Sequence, residues 1–309
     1  MSTAKLGDEF LFIDGGLSTE LEALGEDLNS VLWSAYALLK NPDAIYKAHK
    51  NYFDAGANVA ITSTYQASLE GFQNCGVSFN QAKKLMRLSI ELADQARRDF
   101  LNGNPNAKAY VAASIGPFGA FLADGSEYRG GYSVSADKIR KFHSSRIESI
   151  QDVAEKFDFW AVETLPGLEE ALLVADLLGE DSHPAWFSFT LRDQGHIAEG
   201  RALAEVVSEL DKHDTVAAIG VNCCHPGWVE PALNTISEHT SKPLLAYPNS
   251  GGDYDPSTKV WVRSKELEFD VASWIATGAR LIGGCCQTSS KSLKPLYSDW
   301  TRLVSDPSC

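Results

Sequence analysis

Eight short apolar runs, spread through 309 residues and separated by segments of helical period, constrain this chain more than any other feature. They are Phe10–Asp14, Val59–Thr64, Ala109–Ile115, Phe159–Thr164, Ala185–Thr190, Ala217–Cys223, Leu244–Pro248 and Arg280–Cys285. Each is continuously hydrophobic rather than alternating, as parallel strands covered on both faces should be. The intervening segments predict helices over Pro42–Ala55, Asn80–Phe100, Ala136–Lys156, Leu168–Leu178, Ala202–Leu210, Trp228–Ile236, Phe269–Thr277 and Ser290–Val304. Gly56, Gly179 and Gly278 follow helix ends, where a left-handed cap residue is wanted.

Strand–helix alternation repeated eight times predicts a single-domain (β/α)8 barrel over residues 1–309. A doubly wound open sheet is the runner-up, but no G-x-G-x-x-G follows an early strand. Two long connections read as irregular loops over the barrel mouth. Gly116–Ser135 carries Phe118, Phe121, Tyr128 and Tyr132, and Pro248–Val262 carries Tyr254 and Trp261.

Composition narrows the class. The chain is 44% hydrophobic and 22% charged, enough apolar material for the core of a soluble enzyme. No apolar run reaches the roughly 18 residues of a membrane span. The polar N-terminus lacks an apolar h-region, so the expected location is the cytoplasm. A net charge of −14 argues against nucleic acid or an anionic membrane as partner. Its plain reading is a solvated acidic surface.

In such a barrel, catalytic side chains sit at the C-terminal strand ends. Those ends carry Asp14, Thr62, Thr64, Ser114, Glu163, Asn222, Cys223, Asn249, Cys285 and Cys286. Four of the six cysteines fall in two doublets, Cys223-Cys224 and Cys285-Cys286, at the ends of the sixth and eighth runs. Buried cysteines are often apolar filler, and a cytosolic setting disfavours disulfides. Thiolates are soft zinc ligands, so two doublets two strands apart point to a metal. A closed four-sulfur structural site is one reading. The other is a catalytic zinc on three of the four sulfurs, with one position open to a substrate thiol. Neighbouring strand residues face opposite ways, which favours the second. Cys75 reads as a loop or packing residue and Cys309 as part of the terminus.

Asp14 and Glu163 each end an apolar strand. A buried carboxylate needs a partner, either inside the barrel or in a substrate ammonium. Gly15 and Gly16 offer backbone N–H groups that a substrate carboxylate can approach closely. An amino-acid substrate satisfies both sets. A glycosidase carboxylate pair would leave the cysteines unexplained.

Together these motifs resemble the zinc-dependent homocysteine S-methyltransferase family. The residues that carry the resemblance are Asp14-Gly15-Gly16-Leu17-Ser18-Thr19-Glu20, Thr62-Ser63-Thr64-Tyr65-Gln66-Ala67-Ser68 and Ser114-Ile115-Gly116-Pro117. They continue with Ala123-Asp124-Gly125-Ser126-Glu127-Tyr128-Arg129-Gly130, Glu163-Thr164-Leu165-Pro166 and Gly220-Val221-Asn222-Cys223. Tyr247-Pro248-Asn249-Ser250-Gly251 and Gly283-Gly284-Cys285-Cys286 complete the set. The resemblance implies zinc on Cys223, Cys285 and Cys286, with Cys224 a bystander. It implies homocysteine held by Asp14 and Glu163 at its amino group and by amides near Gly15 and Gly16 at its carboxylate. Thr62 and Asn222 belong to the same pocket. The partners it implies are homocysteine and a sulfonium methyl donor, S-methylmethionine or S-adenosylmethionine, and the product is methionine. Selenocysteine is the alternative acceptor within the family.

Gln66 stands where the betaine-using branch carries Tyr, and the chain lacks that branch's longer C-terminal arm. It also lacks the further domains of folate- and cobalamin-dependent relatives. Ser18, Gly131 and Gln287 depart from the usual family residues and bear on donor fit rather than on the proposed ligands.

Overall fold

The computed structural model describes residues 6–7, 9–28, 34–255, 260–262 and 269–305. Its centre is an eight-stranded parallel sheet whose strands match the eight apolar runs. They are β1 (Leu11–Phe12), β2 (Val59–Ile61), β3 (Tyr110–Ile115), β4 (Phe159–Leu165), β5 (Ala185–Phe189), β6 (Val216–Asn222), β7 (Leu244–Tyr247) and β8 (Ala279–Ile282). The spatial order is β1-β8-β7-β6-β5-β4-β3-β2, and a parallel bridge from Ile13 to Val59 brings the two ends together. This is the (β/α)8 barrel.

Alternation along each strand divides the core. Leu11, Ile13, Val59, Ala112, Phe159, Ala161, Trp186, Ala218, Leu245, Tyr247 and Leu281 pack together as one buried cluster that fills the barrel. The intervening residues, such as Trp160, Val162, Phe187, Ile219 and Val221, join a larger cluster with the surrounding helices. Both faces are apolar, which is why the runs read as continuous. The period of two also fixes the mouth. Following Phe159 and Ala161, Glu163 faces inward; following Ala218 and Gly220, so does Asn222.

The predicted helices are present with shifted ends, and further short elements appear between strands. Leu17–Ala23, Ser34–Lys40 and Leu69–Asn74 are too short to show a clear helical period. Hairpins at residues 191–197 and 253–262 were not expected either. Gly56 and Gly278 cap their helices in the left-handed region, at φ 115° and 113°. Gly179 does not: the helix Leu168–Leu177 ends on Leu178 with a right-handed turn, so no left-handed residue is needed there. No described helix is long and apolar enough to cross a membrane. Cys309 and residues 256–259 of the Pro248–Val262 connection lie outside the described residues.

Candidate active site and metal centre

The C-terminal strand ends converge on one cavity. Its lining includes Gly15, Gly16, Thr62, Tyr65, Gln66, Glu127, Tyr128, Glu163, Tyr247, Cys223, Cys285 and Cys286. The sulfurs of Cys223, Cys285 and Cys286 lie within 4.8 Å of one another, with Cys223 and Cys286 3.6 Å apart. Sulfurs bound to one tetrahedral zinc at about 2.3 Å would be separated by about 3.8 Å. Three soft donors, with no histidine or carboxylate among them, therefore fit zinc and leave one coordination position over.

The two doublets reach this point differently. Cys223 adopts a left-handed φ of 49°, uncommon for a residue with a Cβ, just where β6 ends. That turn brings its sulfur to the cavity, while Cys224 goes into the apolar core between barrel and helices, 4% exposed. A four-sulfur site is thereby excluded by geometry. At β8 the strand stops at Ile282 and Gly283-Gly284 leads to both cysteines. A Cβ on Gly283 would sit 2.6 Å from the Ile13 carbonyl oxygen, so only bare backbone passes β1 this closely. Cys285 N–H then donates to Pro248 O at 2.8 Å, and Cys286 N–H to Asn249 Oδ1 at 3.1 Å.

Hydrogen bonds from Cys285, Cys286 and Tyr128 hold the Cys223 thiol well below its ordinary range, with the Tyr128 hydroxyl 3.3 Å from the sulfur. Acting as donors to Cys223 and exposed to its negative charge, Cys285 and Cys286 are pushed up. Burial alone pushes Cys224 up, far from any role as a thiolate.

Glu163 faces the cavity. Burial raises its carboxyl to about 7, although Ser114 and Tyr247 both donate to it, Ser114 Oγ at 2.5 Å. Asp14 accepts from Ile61 N–H at 2.9 Å through Oδ2, while its buried Oδ1 has no partner. Burial, reinforced by the neighbouring charge of Glu163, holds Asp14 well above the usual carboxylate range. Two neighbouring buried carboxylates, one with an unpartnered oxygen, suit a ligand's cationic group.

Not every predicted residue meets the cavity. Asp14 and Asn222 are not among its lining residues. Asn222 is fully buried and braces the site: Oδ1 accepts from Thr164 N–H at 2.7 Å and Ser188 Oγ at 2.8 Å, and Nδ2 donates to Thr164 Oγ1 at 2.8 Å. The same Nδ2 points toward Cys285 Sγ at 3.9 Å. Thr62 does line the cavity, its Oγ1 accepting from Ser114 N–H at 3.0 Å. The Gly16 amide is already engaged by Thr288 O at 3.0 Å, because a Cβ-free Gly16 packs against the Cys285 carbonyl. Of the glycine pair, that leaves the Gly15 amide to meet a ligand carboxylate.

The Gly116–Ser135 connection, expected to be irregular, is built. It contains a helix at Phe118–Leu122 and a 3-10 turn at Ser126–Tyr128. Buried Glu170 anchors it, accepting from Phe118 N–H at 2.6 Å and the Tyr132 hydroxyl and pairing with His143 Nε2 at 2.8 Å. Buried Arg146 donates to the carbonyls of Thr64, Tyr65 and Gly116 at 2.7–2.9 Å. These groups were missed because they lie on helices. The visible signal was charged residues on otherwise core-facing helix positions.

A closed parallel barrel with three cavity-facing thiols at its strand ends defines a barrel enzyme with a sulfur-rich metal-binding cluster. Comparison with known proteins gives the family. The homocysteine S-methyltransferase family model matches residues 11–298. A homocysteine S-methyltransferase of Bacillus subtilis (strain 168) is 42% identical over 302 residues, covering 95% of both chains. A selenocysteine Se-methyltransferase of Brassica oleracea is 37% identical, covering 96% of this chain and 89% of that one. The metallated structure of the Escherichia coli homocysteine methyltransferase superposes with a TM-score of 0.84 at 41% identity, covering 94% of this chain and 96% of that one. The chain belongs to the homocysteine S-methyltransferase family and is a methyltransferase.

Proposed function

We propose that this chain methylates homocysteine to methionine using a sulfonium donor, S-methylmethionine or S-adenosylmethionine, with zinc held by Cys223, Cys285 and Cys286. The carrying observation is the three-sulfur cluster near two buried carboxylates, one with an unpartnered oxygen. When bound there, zinc lowers the pKa of a coordinated thiol, supplying a nucleophile at neutral pH.

The chain's own residues bind and orient. Glu163, held by Ser114 and Tyr247, takes the homocysteine ammonium together with the neighbouring Asp14. An ammonium there offsets the burial of both carboxylates. Gly15 N–H faces the substrate carboxylate, and Thr62 forms the adjoining wall. Asn222 keeps Thr164 and the Cys285 sulfur in register. The homocysteine sulfur attacks the donor methyl carbon; one S–C bond forms as the other breaks, and the leaving sulfur departs as a neutral thioether. No proton need be given to the leaving group, so the task is in-line alignment in a largely enclosed site.

The test is methyl transfer to homocysteine with S-methylmethionine, S-adenosylmethionine, betaine and methyltetrahydrofolate in parallel, followed by the same donors with selenocysteine. Methionine formation from the sulfonium donors alone is the expected result. Turnover with betaine or methyltetrahydrofolate, and none with a sulfonium, would sink the donor assignment.

A further inference from the structure

We infer that Glu127 recognises the positive charge of the methyl donor; this rests on the sulfonium-donor reading above. Glu127 lines the cavity from the 3-10 turn Ser126–Tyr128, across the mouth loop from the glycine pair of β1. It is only 8% exposed, and its buried Oε2 has no hydrogen-bond partner. A carboxylate in that condition is costly unless a cation or donor completes it.

Among the described residues, none brings a cation into hydrogen-bond contact with that oxygen, and no Lys, Arg or His lines the cavity. Arg129, whose charge acts on Glu127, reaches to Asp124 instead, donating to its carbonyl at 3.1 Å, and its side chain is 58% exposed. Homocysteine does not supply it either, since its one ammonium is assigned to Asp14 and Glu163. The acceptor has one positive charge and the cavity two separate acidic stations. A sulfonium amino acid brings the missing charge, at its sulfonium and again at its ammonium. Glu127 shares this cavity with Tyr65, Tyr128 and Cys223, on whose side donor and acceptor sulfurs must meet.

The turn is constructed to hold this position. A Cβ on Gly119 would lie 2.6 Å from Glu127 N, so the helix Phe118–Leu122 packs directly on the Glu127 backbone. Asp124 Oδ1 accepts from Ser126 N–H at 2.9 Å, fixing the preceding residue. Glu127 is thus placed by a packed turn, with its Oε2 left unpartnered.

Steady-state kinetics of zinc-loaded wild type, Glu127→Gln and Glu127→Asp, each with homocysteine and S-methylmethionine varied in turn, test the assignment. Glu127→Gln should raise the donor KM at least tenfold, leave the homocysteine KM within twofold and keep the zinc content of the wild type. Glu127→Asp should recover part of the donor affinity, and carries the comparison by itself if the Gln variant does not fold. A raised KM with unchanged kcat assigns the contact to the donor ammonium. A change in kcat as well assigns it to the sulfonium, whose charge disappears during transfer. An unchanged donor KM overturns the inference alone, and a homocysteine KM that rises instead moves Glu127 to the acceptor and overturns it too. A wild type that turns over neither sulfonium donor overturns the donor reading and this inference with it.

Discussion

The two cysteine doublets are alike in sequence and unlike in space. At β8 the strand has ended before the cysteines arrive, and the Gly283-Gly284 turn leaves both sulfurs at the mouth. At β6 the strand also ends before its doublet, but Cys223 turns left-handed at φ 49° while its N–H still donates to Tyr247 O at 3.2 Å. Asn222 faces the barrel interior, so plain alternation would send Cys223 outward; the turn reverses that, and one sulfur serves the cavity while the other enters the hydrophobic core. Equal residues acquire different chemistry from the turn that follows the strand beneath them. The room for a fourth ligand is a consequence of that turn.

The sharpest way to break that comparison is to mutate across it. Cys285→Ser or Cys286→Ser should remove stoichiometric zinc and lower kcat/KM by more than about 1,000-fold, since two thiolates no longer hold the metal or the acceptor. Full activity in a zinc-free variant would end the mechanism. Between the extremes, Glu163→Gln should raise the homocysteine KM by about 10- to 100-fold, the worth of one charged hydrogen bond, with zinc retained. Loss of metal from that variant would make Glu163 a structural support of the cluster instead. The smallest effect is expected at the other half of the doublet. Cys224→Ala should keep zinc and activity and cost about 1 kcal/mol in denaturant unfolding, as the deletion of a small buried group does. Zinc lost from Cys224→Ala would restore the symmetric view.

The barrel was legible because its eight runs are buried on both faces, which makes strands stand out from amphipathic helices. The connections were less so. Phe118–Leu122 spans five residues, too few for periodicity to show, and its stability comes from Glu170 and Arg146, which are distant in sequence. At the site, Glu163 and the three ligand-position cysteines could be singled out from strand ends and motif together. Tyr247 could have been found by extending the alternation from Leu245, one inward residue earlier on β7. Asn222 was placed in the pocket by the resemblance, but its amide is consumed by Thr164 and Ser188. Gly16 was read as a ligand amide, whereas its lack of a Cβ serves close packing on the Cys285 carbonyl. In both cases the residue type was informative and the role depended on partners far along the chain.

The backbone tethers under the three sulfurs bear on how the protein lives between encounters with its metal. Cys223, Cys285 and Cys286 are each fixed by a main-chain N–H to β7 or the residues just after it, and none of those bonds involves a sulfur. Chelation should therefore empty the cluster while the far-ultraviolet circular dichroism stays that of the loaded protein, and added zinc should restore activity without refolding. On the proposed reading, the metal is a removable fitting on a finished frame.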